Sequence, residues 1–138
     1  MIRPIKGLIR ILDNATVVTS PVVAGVPVNV EHFRNVCFQL FSSGSANFTV
    51  KFAISYSTIQ PNFAAAASAT NVWSYVQVKD LQNPGTGING TTGIVYSGTD
   101  AVTSCEVNTD YIRWFCPIIT AQSAGHIFIE MNAANDAN

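Results

Sequence analysis

Residues 36 to 40 and 48 to 54 alternate strictly between apolar and polar or small positions. Val36, Phe38 and Leu40 enclose Cys37 and Gln39, and Phe48, Val50, Phe52 and Ile54 enclose Thr49, Lys51 and Ala53. Successive side chains leave a strand on opposite faces, so a period of two marks half-buried strands. The polar break between the runs, SSGSA, contains Gly44 and predicts a hairpin joining two antiparallel strands. Similar runs recur at 5–12 (IKGLIRIL), 15–20 (ATVVTS), 26–30 (VPVNV), 72–81 (VWSYVQVKDL), 93–98 (GIVYSG), 104–108 (SCEVN), 111–120 (YIRWFCPIIT) and 126–132 (HIFIEMN). Short strands at even spacing, separated by Gly, Asn, Asp and Ser, predict an all-β fold: an antiparallel β-sandwich, jelly-roll-like, of about eight strands with a short N-terminal arm. No long amphipathic helix is written anywhere. The stretch NFAAAASA (62–69) supports one helical turn or a small-residue crossing over the end of the sandwich.

Two runs depart from simple alternation. Pro117 interrupts a run that otherwise reads as strand, and a residue without an N–H belongs at an edge or a bulge. The same run is apolar on both faces, with Ile112, Trp114, Cys116 and Ile118 on one side and Phe115 and Ile119 on the other. HIFIEM repeats the theme with Ile127, Phe128 and Ile129. A strand dry on both sides is either central or covered by a second subunit. The second alternative is the expectation here, with Phe115, Ile119 and Phe128 as the candidate subunit interface. The segment 81–93, LQNPGTGINGTTG, reads as a surface hairpin loop; no Gly-Lys-Ser/Thr and no helix follow to make it a phosphate loop.

The chain has 138 residues, the size of one domain, divided as 1–25 (arm and first strands) and 26–138 (the sandwich). Charged residues are 11% of the chain, against about 25% in ordinary domains, so surface polarity comes from hydroxyls and amides. The net charge is −1 and the seven basic residues form no run, so no nucleic-acid partner is expected. No apolar stretch approaches the roughly 20 residues that span a bilayer, so no membrane is expected either. Lys6 and Arg10 interrupt the apolar start, which predicts a chain made in a cytoplasm without a signal peptide. Cys37, Cys105 and Cys116 are odd in number and widely spaced, which favours buried free thiols over disulfides or zinc.

Candidate chemistry is sparse. His32 and His126 are not framed by a nucleophile motif, and the acids, including Asp13, Asp80, Asp100 and Asp110, fall mostly at turns and strand ends. No catalytic residue, metal ligand or cofactor is expected. Trp73, Tyr75, Tyr96 and Trp114 pose the choice between core packing and a flat platform for sugar rings.

The order of motifs over about residues 26–132 resembles small β-rich virion-associated proteins of tailed phages, of the capsid-decoration or head-fibre type. The elements are Phe38-Gln39-Leu40, the TVKF strand from Thr49 to Phe52, W-x-Y-V-Q-V-x-D-L from Trp73 to Leu81, the TGI…SGTD turn from Thr92 to Asp100, and EVNT…RW from Glu106 to Trp114. The resemblance implies a non-enzymatic virion protein that binds the major capsid protein or another virion protein and forms a homo-oligomer, with a trimer favoured. Ile2, Arg3, Ile5, Lys6, Leu8, Ile9 and Arg10 are then the candidate capsid-contact arm. The alternative is a carbohydrate- or receptor-binding module, a virion adhesin that takes a host surface glycan.

Overall fold

A computed structural model of the chain describes residues 5–14, 23–83 and 85–134. Among these residues there are strands and turns and no helix. The strands are β1 (Ile5–Asn14), β2 (Val23–Ala24), β3 (Val28–Asn29), β4 (Asn35–Ser55), β5 (Ser74–Tyr75), β6 (Val78–Asp80), β7 (Gly87–Ile88), β8 (Ile94–Ser97), β9 (Val102–Asn108) and β10 (Trp114–Ala134). The strand expected at 15–20 lies outside the described residues. All pairings are antiparallel and belong to one open sheet, ordered β1-β10-β4-β9-β6-β7. β2 and β3 add to β10 beyond β1, and β5 and β8 add to β4 beyond β9.

The hairpin expected at SSGSA is not formed. Both alternating runs lie in the single strand β4, and both pair with β10, from Ser55↔Trp114 to Asn35↔Ala134. The break is instead a corner in a two-stranded ribbon. Phe38 and Phe52 lie 14 residues apart (52 − 38), which along a straight strand is roughly 46 Å. Their ring centroids are nevertheless 4.5 Å apart. The ribbon therefore folds over on itself, through Gly44 and Ser45 at positive φ on β4 and Gly125 (φ 85°) on β10. Register shifts between Ile119 and His126 supply the extra residues that the bend needs. A Cβ at Gly125 would stand 2.5 Å from the Ala46 Cα, so the two strands meet there closer than a side chain allows. The Asp100 carboxylate braces the corner by accepting the Ser45 and Ala46 N–H groups at 3.1 and 3.0 Å. Gln122 is buried beside it and satisfied, accepting from Asn14 Nδ2 at 2.6 Å and donating to Gly125 O at 2.9 Å.

The core sits inside this fold. Val36, Phe38 and Leu40 before the corner, and Phe48, Val50, Phe52 and Ile54 after it, share one face of β4. They meet Phe115, Ile119, Ile127, Ile129 and Met131 of β10 in one cluster. Parity is conserved through the corner, so the sheet closes around a single apolar face. Each large side chain buried here contributes about 1.5–3 kcal/mol. An exposed ion pair such as Glu31–Arg113 contributes about 0.2–1 kcal/mol. The core rather than surface charge therefore holds the fold.

The other face of the β10 run is dry for a local reason. Cys116 and Ile118 are buried with Ala53 and Phe63 in a second, smaller cluster, walled by Trp73, Tyr75 and Trp114. The segment after β4 supplies this cover. Pro117 occupies neither an edge nor a bulge; it pairs in register with Phe52 in the body of β10. Its carbonyl accepts from Gly25 N–H at 2.8 Å, so its ring nitrogen faces the gap between β2 and β3, where no ladder acceptor waits for it. Gly25 is needed there because a Cβ would meet Ile11 O at 2.3 Å and the Pro117 ring at 2.8 Å.

Candidate binding surfaces

From Ile5 onward the predicted arm is an edge strand of the sheet, with Ile5 and Lys6 paired to Ala134 and Ala133. Ile9 packs against the core, Ile11 is fully buried, and the alternation places Leu8 and Arg10 outside. Leu8 is 70% exposed. Ile2 and Arg3 lie outside the described residues. Of the arm residues with described side chains, Ile9 turns to the core and Leu8 and Arg10 to the outer face of β1, and removing residues 1–12 would strip most of a strand from the sheet.

That outer face is an ordered array across neighbouring strands. The Arg10 guanidinium lies 4.2 Å over the Phe128 ring, which stacks on Phe41 with centroids 4.7 Å apart. Arg10 also pairs with Glu130 at 2.7 Å and Asp13 at 3.1 Å. The His126 imidazole bonds the other oxygen of Asp13. This bond first, and the Arg10 bond second, hold the Asp13 carboxyl below its ordinary range. Alongside runs a shallow groove of about 330 Å³ with Leu8 and Leu81 among its apolar residues, and Cys37, Gln39, Ser104, Glu130 and Asn132 as polar lining.

Phe115 and Ile119, expected at a subunit interface, have no exposed surface within the single chain. Their burial needs no second subunit, because the ribbon that doubles back covers them. Phe128 is partly exposed in the array just described. The four aromatic residues weighed as a sugar platform are engaged elsewhere. Trp73 donates its indole N–H to Ala65 O at 3.2 Å and meets Tyr75 edge-on; Trp114 donates to Ser57 O at 3.1 Å. Tyr96 packs on Phe48 and bonds the Thr103 hydroxyl.

A second surface lies at the opposite end of β4, in the loop from 56 to 73. Asn71 organises it, accepting from Asn62 N–H at 2.8 Å and donating to the carbonyls of Asn62, Ala65 and Ala66. Tyr56, Ile59 and Val72 are left exposed, and Ile59 and Val72 line one hollow with Pro61 and Ala69. No periodicity marks these positions, so alternation alone does not reveal them. The legible signal was the alanine-rich stretch, which leaves few side chains able to bury anything.

The chemical groups stay apart. Among the described residues no hydroxyl is hydrogen-bonded to His126, and no three His, Cys, Asp or Glu side chains gather as a metal site. Burial pushes the Cys105 and Cys116 thiols up to about 12. Among the described residues no helix is long and apolar enough to cross a membrane.

The chain is an all-β protein in which one folded antiparallel sheet presents its exposed apolar groups on its outer face and at one looped end. No protein-family model matches the sequence, and neither does any curated protein. Among solved structures, its fold is similar to that of SPBc2 prophage-derived protein YomS, with a TM-score of 0.66 over 98% of this chain and 96% of that one. The two sequences are 7% identical, so the likeness is one of fold, and it runs the whole length of both chains.

Proposed function

We propose that this chain is a non-enzymatic structural protein of a phage particle, a capsid-associated decoration or head-accessory protein that binds the major capsid protein or a neighbouring virion protein. The observation that carries the proposal is the end-to-end likeness of fold to a prophage-derived protein. The surfaces suit the role. Exposed apolar groups interleaved with both signs of charge, as in Leu8, Arg10, Phe128 and Glu130, are what a protein partner covers. The adhesin alternative has less support, because Trp73, Tyr75, Tyr96 and Trp114 already pack against their own chain.

The test adds purified chain to particles assembled without its gene and pellets them. Saturable co-sedimentation is expected, weakened by Leu8→Ser and by Arg10→Ser. Binding no greater to such particles than to an unrelated phage would overturn the proposal.

A further inference from the structure

The looped end of the molecule has a composition of its own. Residues 52 to 78, a run of 27 (78 − 52 + 1) bounded by Lys51 and Lys79, contain no charged side chain. The run 81–99 is also uncharged, but its loop is built of Gly, Asn and Thr. Leu81 and Val95 are its exposed apolar side chains, whereas in 52–78 Ile59 is 77% exposed, Tyr56 and Val72 are more than half exposed, and Ile59 and Val72 line one hollow. The turn before β10 joins the same end, since Arg113 N–H bonds Ser55 O at 3.0 Å. It presents Tyr111, 93% exposed and held at a φ of 68°. A bulky residue in the left-handed region is strained, and here no core contact compensates for it. Thr109 fixes the turn, buried and bonded through its hydroxyl to Phe33 O at 2.6 Å.

The loop is tied together by its own side chains. Asn71 ties its backbone together, and Phe63 anchors it in the second cluster. A preorganised surface loses little entropy on association. The alanines at 64–67 and 69 are exposed and small enough to let another backbone come close.

We infer that this end, centred on Tyr56, Ile59, Val72 and Tyr111, is the contact surface for a second copy of the chain, joined about a two-fold axis. Two arguments select that occupant. In a two-fold contact each patch meets itself, so a patch rich in one sign of charge repels its copy, whereas here the run 52–78 brings no charge and Asp110, beside Tyr111, is the one exposed acid of the turn. Its rim carries Glu31 and Arg113, 3.2 Å apart, one of each sign for the corresponding pair of the partner copy. The area also fits. Exposed tyrosines offer about 150–250 Å² each. With Ile59, Val72 and the alanines, the patch reaches on the order of the 800 Å² that each side of a standard interface contributes. The inference stands apart from the virion assignment, since self-association and presence in particles are separate measurements.

The experiment is sedimentation of the full chain from micromolar to millimolar concentration, for the wild type, Tyr111→Gly and Ile59→Ser. The wild type is expected to pass from monomer to dimer. Both variants are expected to dissociate roughly ten-fold more readily. Tyr111→Gly should also melt no lower than the wild type, because glycine relieves the strained φ; a tyrosine needed only for folding would lower it. A wild type that stays monomeric, or either variant assembling as tightly as the wild type, would overturn the inference. So would flotation of the wild-type chain with neutral phosphatidylcholine vesicles without dimer formation, which would assign the patch to a lipid surface.

Discussion

The three thiols separate cleanly by environment. Cys105 and Cys116 are sealed in the two clusters and burial raises them to about 12, whereas Cys37 lies exposed on the outer face of β4 and is raised too, by partial burial and then by Glu106. Since the thiolate is the reactive form, the native chain is expected to take up one equivalent of a maleimide at mildly alkaline pH and three after unfolding. Intact mass before and after denaturant checks this, and three equivalents on the native chain would contradict it. Asp13 titrates in the opposite sense. Its carboxyl, held low by His126 and then Arg10, binds a proton less readily in the folded chain than in the unfolded one, where its value is near 3.8. Its contribution is therefore fully present above that unfolded value and is lost as pH falls through the lowered one. Asp13→Asn should be slightly less stable than the wild type at neutral pH and equal to it once both are acidified below that range. Melting temperature against pH measures this, and parallel curves would refute it. At this scale the sequence was legible where alternation spoke. Phe38, Val50 and Phe115 point where period two puts them, while the Arg10–Phe128–Phe41 stack joins three strands and has no local signature.

At the scale of elements, the strands were legible and the corner was not. A small polar break between two alternating runs is written the same way whether the chain reverses beside itself or bends as one strand. The choice is made by β10, whose 21 residues pair along all of β4 and offer both halves a common partner. For the same reason 111–120 and 126–132 merged into one strand. The run at 72–81 instead broke into β5 and β6, because its residues divide between β4 and β9. Pro117 was misplaced by the same reasoning, since only the topology reveals a gap between β2 and β3. The corner makes a prediction of its own. Asp100 lies 54 residues from Ala46, yet it accepts two backbone N–H groups that have no ladder partner in the bend. Asp100→Ala is expected to cost about 1–3 kcal/mol in urea denaturation, as the loss of charge-assisted bonds to backbone donors. A variant within a few tenths of the wild type would mean that water braces the corner equally well.

For the whole molecule, an all-β fold followed from pattern and low charge, and the structure adds that it is one sheet folded around a main core, with a smaller cluster on the other face of β10. The expected subunit interface rested on a sound premise, that a strand dry on both faces must be covered. The ribbon that doubles back covers the face with Phe115 and Ile119, a loop of the same chain covers the face with Cys116 and Ile118, and neither contact can be read from local periodicity. The proposed function came only through resemblance, because no motif or spacing in the chain carries chemistry that would point to it. The fold shared end to end with a prophage-derived protein supports the same direction by a separate route. The most direct test of the central proposal is quantitative mass spectrometry of particles, purified on a density gradient after induction of the element that carries the gene. The chain is expected in the particle band at a fixed ratio to the major capsid protein, retained through high-salt washing. Its absence from that band, with abundant chain in the soluble lysate, would contradict the assignment to the virion.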